Sequence, residues 1–176
     1  MSLPRAPDRL SDDMAQAIGH AVSAFGFLEE ALKRAIFSLT RQRLGEDVSE
    51  KAMQKWLRRM EDIADDSLGT LIDSFIAALR QAGIDERHVL SDALTKIRIQ
   101  RNLLCHASWR PGEQPGYWHP TFINTRGESY PDDMNPADVM AVHAATLGTA
   151  RRVVSIMRAT GIEGEWVGWD EEEVNG

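Results

Sequence analysis

The fold class of this chain follows from residues 11–45, which read SDDMAQAIGHAVSAFGFLEEALKRAIFSLTRQRLG. Ser11 followed by two aspartates is typical of a helix start, because serine can cap free N–H groups and acids favour the positive end of the helix dipole. Gly45 is typical of a helix end. Large apolar residues recur between them at steps of three and four, which predicts one long amphipathic helix: Ile18, Val22, Phe25, Leu32, Ile36 and Leu39.

Four further helices are predicted from the same kinds of signal. Capping-box spacing at Asp47 starts the second helix, Gly83 ends the third, and Asp85 can cap the fourth. Asn135 followed by Pro136 starts the last helix, because proline is favoured at the first helical position. The fourth helix carries an apolar stripe of Leu90, Leu94, Ile97 and Leu104, and the last one a stripe of Met140, Leu147, Ala150, Val154 and Met157.

The segment before the last helix has a different character. Prolines, glycines and short aromatic pieces from Trp109 onward predict an irregular insertion with a small β-hairpin at about residues 116–130, turning near residues 124–127. Short connections between helices are typical of antiparallel packing. The predicted fold is therefore all-α, an antiparallel four- or five-helix bundle with a hairpin insertion. Residues 1–10 are expected to form a flexible lead, 11–161 the bundle domain and 162–176 an acidic tail.

Composition narrows the class of protein. The hydrophobic content of 43% is that of a globular domain, and no apolar run approaches the roughly 18 residues of a membrane span. The charged start of the chain lacks the apolar core of a signal peptide. A single cysteine, Cys105, rules out an intramolecular disulfide and fits a reducing compartment. We therefore expect a cytoplasmic protein without membrane contact.

The net charge of −7 is unevenly distributed. Six acidic residues lie among the last fourteen residues, where no basic residue opposes them. Between Lys96 and Arg126 the balance is reversed, because five basic residues face only Glu113. A local basic surface for nucleic acid is therefore compatible with the overall acidity, and Lys96, Arg98, Arg110 and Arg126 are the candidate contacts to a nucleic-acid backbone.

Two charged residues interrupt apolar stripes. Glu29 falls in the middle of the apolar face of the first helix, and Arg101 occupies the position between Ile97 and Leu104 in the fourth. A buried charge is strongly disfavoured unless it is paired, so we expect the two side chains to meet inside the bundle. Such a pair can serve only to fix helix register, or it can restrain Arg101 for use at an adjacent site, and the two roles are compatible.

Residues 101–106, RNLLCH, place a guanidinium, an amide and an imidazole at the end of the fourth helix. Asn102 and His106 are four residues apart and lie on one face. Arg101 and His106 differ by ~140° around an ideal helix. We expect these two to converge only if the helix end distorts or a second chain brings its own copy alongside.

The far side of the fourth helix favours the second possibility. Ile99 and Leu103 make this side apolar as well, which indicates a second packing surface. A symmetric homodimer would supply that surface and bring two Arg/His sets together across the twofold axis.

This combination resembles the HEPN superfamily, small helical bundles marked by arginine, a polar residue that is often asparagine, and histidine after four to six residues. Arg101, Asn102 and His106 fit with four residues between arginine and histidine, late in the chain and with one helix following. Glu29 looks like the acidic residue that often accompanies the motif. The architectural resemblance covers roughly residues 12–160, whereas the specific motif covers only residues 101–106.

The resemblance implies metal-independent RNA cleavage in the active members of the group. His106 would move a proton at the 2′-hydroxyl or the leaving 5′-oxygen, Arg101 would hold the phosphate, and Asn102 would orient His106 or the phosphate. The expected products are a 2′,3′-cyclic phosphate and a 5′-hydroxyl, without a cofactor or a metal. A toxin of a toxin–antitoxin or phage-defence pair, with an antitoxin protein as partner, fits this activity.

Several alternatives stay open at this level. Trp109 can stack on an unpaired RNA base or pack within the hairpin. His143 lies on the predicted stripe of the last helix and is expected to be a core histidine. The rival function is a non-catalytic HEPN-like module that binds proteins or nucleotides, in which the Glu29–Arg101 pair is structural. A metal or small-ligand bundle is disfavoured, because zinc and di-iron ligand spacings are missing from the sequence.

Overall fold

A computed structural model of the protein describes residues 9–85, 87–121 and 132–159. These residues form five helices and a two-stranded antiparallel sheet: α1 (Asp12–Leu44), α2 (Glu50–Ala64), α3 (Leu68–Gln81), α4 (Arg87–His106), β1 (Ser108–Pro111), β2 (Trp118–Thr121) and α5 (Pro136–Ala159). The predicted all-α bundle with a hairpin before the last helix is confirmed. The described residues include no helix that is long and apolar enough to cross a membrane.

Four of the helices enclose the core. α1 packs against α3 and, most extensively, against α5, while α4 lies between α3 and α5 and also touches α1. α2 contacts α1 from the outside and contributes only Ile63 to the fully buried set. The bundle is therefore a four-helix core with α2 attached to one side.

The buried face of α1 runs along the whole helix. Large side chains such as Phe25, Leu28 and Leu32 are buried, and they alternate with buried alanines. The alanines let neighbouring helices approach closely, since a methyl group adds little thickness to the interface. Val22, which the apolar pattern placed on this face, is 43% exposed, because the alanines take the inward positions on its turn.

α2 is docked through an aromatic anchor. The indole Nε1 of Trp56 donates to Thr40 Oγ1 over 2.9 Å, and the Trp56 ring lies 4.7 Å from the ring of Phe37. The helix begins at Ser49, whose hydroxyl accepts from the N–H of Ala52, and not at the predicted cap Asp47. The serine side chain is at the right distance for the free N–H groups of the first turn, two residues beyond the expected position.

α5 begins where the sequence predicts but presents a different face to the core. Asn135 and Asp138 cap each other reciprocally, because each side chain accepts from the backbone N–H of the other. The buried residues are Val139, Thr146, Ala150, Val153 and Met157, so three of the five positions in the predicted stripe are displaced by one residue. Apolar residues occur around much of this helix, so its sequence period leaves the inward face ambiguous.

The hairpin follows α4 almost without a break. Trp109 pairs with Pro120 and Arg110 with His119 across the two strands, and Trp118 forms a further bridge to Met134. The turn spans residues 112–117 and includes Gly116 at a φ of 84°. The hairpin thus starts earlier than predicted, because Trp109 and Trp118 are drawn into the core; the predicted turn near residues 124–127 lies outside the described residues.

The terminal segments were predicted to be a lead and a tail. Residues 1–8 and 160–176, which hold most of both, lie outside the described residues. At the inner end of the lead, Leu10 already packs against the core.

Truncation of a side chain on the buried face of α1 will test how much this face contributes to the stability of the bundle. Leu28 is fully buried, so Leu28→Ala is expected to lower the free energy of unfolding by about 2–5 kcal/mol through lost burial and the cavity left behind. Leu57 on α2 is 47% exposed, and Leu57→Ala should cost less than about 1 kcal/mol. Urea unfolding of both variants measures the difference. Equal losses would contradict this account of the core.

Candidate functional site

The end of α4 joins the bundle to the hairpin. The helix continues through His106, and the N–H of Ala107 still donates to the carbonyl of Leu103 over 2.9 Å. β1 begins at Ser108, only two residues after His106. The RNLLCH stretch therefore ends where helix α4 meets strand β1 of the hairpin.

Arg101 is engaged on two sides at this end of α4. Its Nη2 lies 3.7 Å from Glu29 Oε1 on α1, and its Nη1 donates to Asn102 Oδ1 over 3.4 Å. The side chains of Arg101 and Glu29 are 31% and 28% exposed, so the pair lies at a partly hydrated edge of the bundle. The two side chains meet as expected, but at the edge of the bundle and not inside it. A long arginine side chain can bury its stem and still keep its charged head near water.

His106 is exposed and lies on a different side of α4 from Arg101. Its side chain forms no hydrogen bond or ion pair with any other residue in the described part of the chain. Because α4 stays helical through His106, the two residues remain ~140° apart around its axis. Distortion of the helix end therefore does not bring them together within one chain of this structure.

The predicted basic contacts do not form one surface. Lys96 lines the groove between α4 and α5, whereas the side chain of Arg98 lies over Gly69 at the start of α3. These two positions are ~160° apart on α4. Arg110 is on the hairpin, and Arg126 lies outside the described residues. Only Arg110 is close in sequence to the end of α4.

Trp109 does not serve as a base-stacking platform in this structure. Its side chain is only 6% exposed and belongs to the hydrophobic core, together with Trp118 and Met134. The hairpin uses one face to close the end of the bundle, and both tryptophans are part of that face. Trp109 therefore packs within the hairpin, as the packing alternative predicts, and its buried ring is not open to an RNA base.

The second apolar side of α4 is smaller than predicted. Leu103 is 1% exposed and packs within its own chain, whereas Ile99 is 52% exposed. A groove of about 600 Å³ runs between α4 and α5 and includes the exposed Val89 in its lining. Ile99 and His106 are seven residues apart, which puts them ~20° apart around the axis and about two turns along it.

A polar pair on the hairpin was missed at the level of sequence. His119 Nδ1 lies 2.8 Å from Asp133 Oδ1, and Asp133 Oδ2 accepts the N–H of Glu113 over 3.0 Å. The Glu113 amide and then the His119 ring hold the pKa of Asp133 below its ordinary value, because both favour the ionised carboxylate. The alternation of residues 118–120 could have predicted that His119 and Trp118 point to different faces of the sheet. It could not have predicted that His119 contacts Asp133, which is fourteen residues away in sequence.

The other histidines offer no metal centre. His20 on α1 and His143 on α5 meet edge to face with ring centroids 5.9 Å apart. His143 is half-buried at the surface, so its expected place in the core is wrong, and the displaced stripe of α5 is the reason. Over residues 9–85, 87–121 and 132–159, no three His, Cys, Asp or Glu side chains are grouped closely enough to hold a metal ion.

Comparisons with protein-family models, curated proteins and solved structures find no match. The similarity to the HEPN group thus rests on residues 101–106, on Glu29 and on the helical architecture.

The stability contribution of Asp133 is expected to depend on pH. Its pKa in the folded protein lies below the ordinary value of 3.8, so its contribution is fully present above that pH and is lost as the pH falls through the folded-state pKa. Asp133→Ala should therefore unfold at a lower urea concentration than the wild type at neutral pH, and the gap should close in acid. The exposed neighbour provides the control Asp132→Asn, which should unfold like the wild type. A gap that is independent of pH would contradict this account.

Proposed function

We propose that this protein is a metal-independent endoribonuclease of the HEPN type whose active site is completed by a second copy of the chain. The observation that carries the proposal is the exposed His106 at the end of an undistorted α4, one turn after the Asn102–Arg101–Glu29 contacts. A reactive imidazole must be accessible from solvent, and the exposure of His106 supports that role.

The residue chemistry supports cleavage by internal transesterification. The His106 imidazole takes the proton from a ribose 2′-hydroxyl, or gives one to the departing 5′-oxygen. The 2′-oxygen forms a bond to phosphorus and the bond to the 5′-oxygen breaks, which leaves a 2′,3′-cyclic phosphate and a 5′-hydroxyl. Arg101 stabilises the charge that develops on the phosphate oxygens, and Asn102 restrains the guanidinium.

The geometry of α4 supports a second chain as part of the proposal. Arg101 and His106 of one chain point to different sides of the helix, so a shared phosphate needs Arg101 from one copy and His106 from the other. The exposed Ile99, on the His106 side of α4, supplies apolar surface for such a contact. A twofold arrangement would place both copies of α4 at one interface and produce two equivalent Arg/His sets.

The biological role is proposed from the resemblance alone. The protein would be the cytoplasmic toxin of a toxin–antitoxin or phage-defence pair. It would cleave RNA without a cofactor, and an antitoxin protein would inhibit it. Lys96, Arg98 and Arg126 would then attract the RNA backbone at long range instead of forming one shared contact surface.

One observation favours a second candidate function. The guanidinium of Arg101 already contacts both Glu29 and Asn102, as expected for an arginine whose role is to join two helices. In that case the protein is a non-catalytic helical module that binds proteins or nucleotides. Its net charge of −7 agrees with a protein partner better than with RNA.

Removal of the His106 imidazole will separate the two functions. In the presence of a metal chelator, His106→Ala should lower the rate of RNA cleavage by about 100- to 10,000-fold, which is the usual contribution of a proton-transfer group. The matched control is His88→Ala, because His88 is an exposed histidine on the same helix. The assay follows a set of labelled single-stranded and structured RNAs and identifies the product ends.

The outcomes are distinct. Cyclic phosphate ends that depend on His106 but not on His88 would support the nuclease. No cleavage by the wild type across the RNA set, or equal rates in the wild type and His106→Ala, would exclude it and leave the binding module.

Complementation will test the shared active site. His106→Ala and Arg101→Ala should each be inactive alone, whereas co-expression of the two should restore part of the activity. A mixed dimer of this kind holds one intact Arg101 facing one intact His106. If mixed dimers form, as shown by differently tagged chains that co-purify, and remain inactive, the composite site is wrong.

A further inference from the structure

The outward face of the hairpin carries polar side chains that the fold does not require for its core. Trp109 and Pro120 are a buried pair on the inward face. Directly opposed residues on neighbouring strands point to the same side of a sheet, and successive residues point to opposite sides. Arg110 and His119 are therefore neighbours on the outward face, with Cα atoms ~5 Å apart.

His119 is held in one orientation on that face. Asp133 is ionised at neutral pH, so its Oδ1 can only accept, and the Nδ1 of His119 must donate to it. The other ring nitrogen, Nε2, points away from this contact. Asp133 is itself fixed by the N–H of Glu113, so the imidazole has a stable support instead of a mobile surface contact.

Gly112 packs closely against the Asp133 carboxylate that supports His119. A methyl group on Gly112 would overlap the Asp133 carboxylate and would come within 3.0 Å of the Tyr117 carbonyl oxygen. Only glycine leaves room for Asp133 to reach across the turn. The position of the carboxylate therefore depends on the turn, and the position of His119 depends on the carboxylate.

The remaining donors on this face suit an anion. The side chain of Arg110 forms no hydrogen bond or ion pair within the described residues, so its guanidinium is available to a ligand. Both oxygens of Asp133 are already engaged, on the Nδ1 side of the ring. A protonated His119 thus presents an Nε2–H beside a guanidinium, and such donors form charge-assisted hydrogen bonds to phosphate oxygens.

We propose that Arg110 and His119, with Asp133 as the positioning residue, form a subsite for a backbone phosphate of single-stranded RNA. This inference rests on the proposed ribonuclease function and identifies where the substrate is held outside the reacting centre. Arg110 is four positions after His106, and four steps of extended chain span at most ~13 Å, or about two phosphate steps along a strand. The subsite therefore binds a phosphate flanking the scissile one and is not part of the chemistry.

The test measures RNA affinity separately from cleavage. The probe is a short fluorescent single-stranded RNA with 2′-O-methyl riboses, which can bind but cannot be cleaved. Fluorescence anisotropy at about pH 6, where imidazoles are commonly protonated, compares the wild type with Arg110→Ala and His119→Ala. The charge-matched control is Arg58→Ala, an exposed arginine on α2.

Each subsite variant should weaken binding about three- to tenfold, as expected for one partly exposed charge-assisted contact. The slope of log affinity against log salt should fall by about 0.7 for the lost phosphate contact. Arg58→Ala should leave both values unchanged. Equal affinity in all four proteins, or no binding of the probe by the wild type, would overturn the subsite.

Asp133→Asn tests the positioning role. The asparagine oxygen can still accept from Glu113, so the turn is retained, and a melting temperature that falls less than in Asp133→Ala verifies this. The affinity should fall as much as in His119→Ala, and the double variant should lose no more than either single variant. Additive losses, or a wild-type affinity for Asp133→Asn, would show that Asp133 only supports the turn.

The proposed function and the subsite fail in different ways. Binding that depends on Arg110 and His119, with no cleavage of ordinary RNA, would retain the subsite and reject the nuclease. Cleavage that depends on His106, with probe affinity that is indifferent to both hairpin residues, would retain the nuclease and reject the subsite.

Discussion

The burial of one continuous face of α1 is the constraint on which the rest of the structure depends. α1 packs against α3 and α5, touches α4 and carries α2 on its outer side, so most of the helical contacts include it. Its inward residues combine large side chains with alanines, which lets several helices approach the same axis closely. The 33 residues of the helix set the length of the bundle, and the shorter helices are arranged along it.

A charge at the edge of that face determines how α4 is joined to α1. Glu29 lies between buried turns of α1 but reaches the partly hydrated edge where Arg101 arrives from α4. There the cost of removing both charges from water is smaller than in the core, and the contact can be kept without full desolvation. The same guanidinium also donates to Asn102, so a single arginine links α1 to the turn of α4 that precedes His106.

The hairpin brings a second polar surface close to this end of α4. Its inward face closes the bundle with Trp109 and Trp118, and this burial fixes the orientation of the whole hairpin. The orientation of the outward face is fixed by the same burial. This face displays Arg110, four positions after His106, and its cross-strand neighbour His119. Apolar packing on one side of a two-stranded sheet thus determines which polar groups are presented on the other.

The sequence by itself determined the helices, their order, the hairpin before the last helix and the association of Glu29 with Arg101 as the two charges on apolar stripes. Those features depend on local periodicity, capping and the cost of an unpaired charge, all of which can be read along the chain. Tertiary structure alone decided the inward face of α5, the burial of Trp109 and the pairing of His119 with Asp133. These depend on which surfaces meet in space, and a helix that is apolar on several sides, or two residues fourteen positions apart, carry no local signal of their partners.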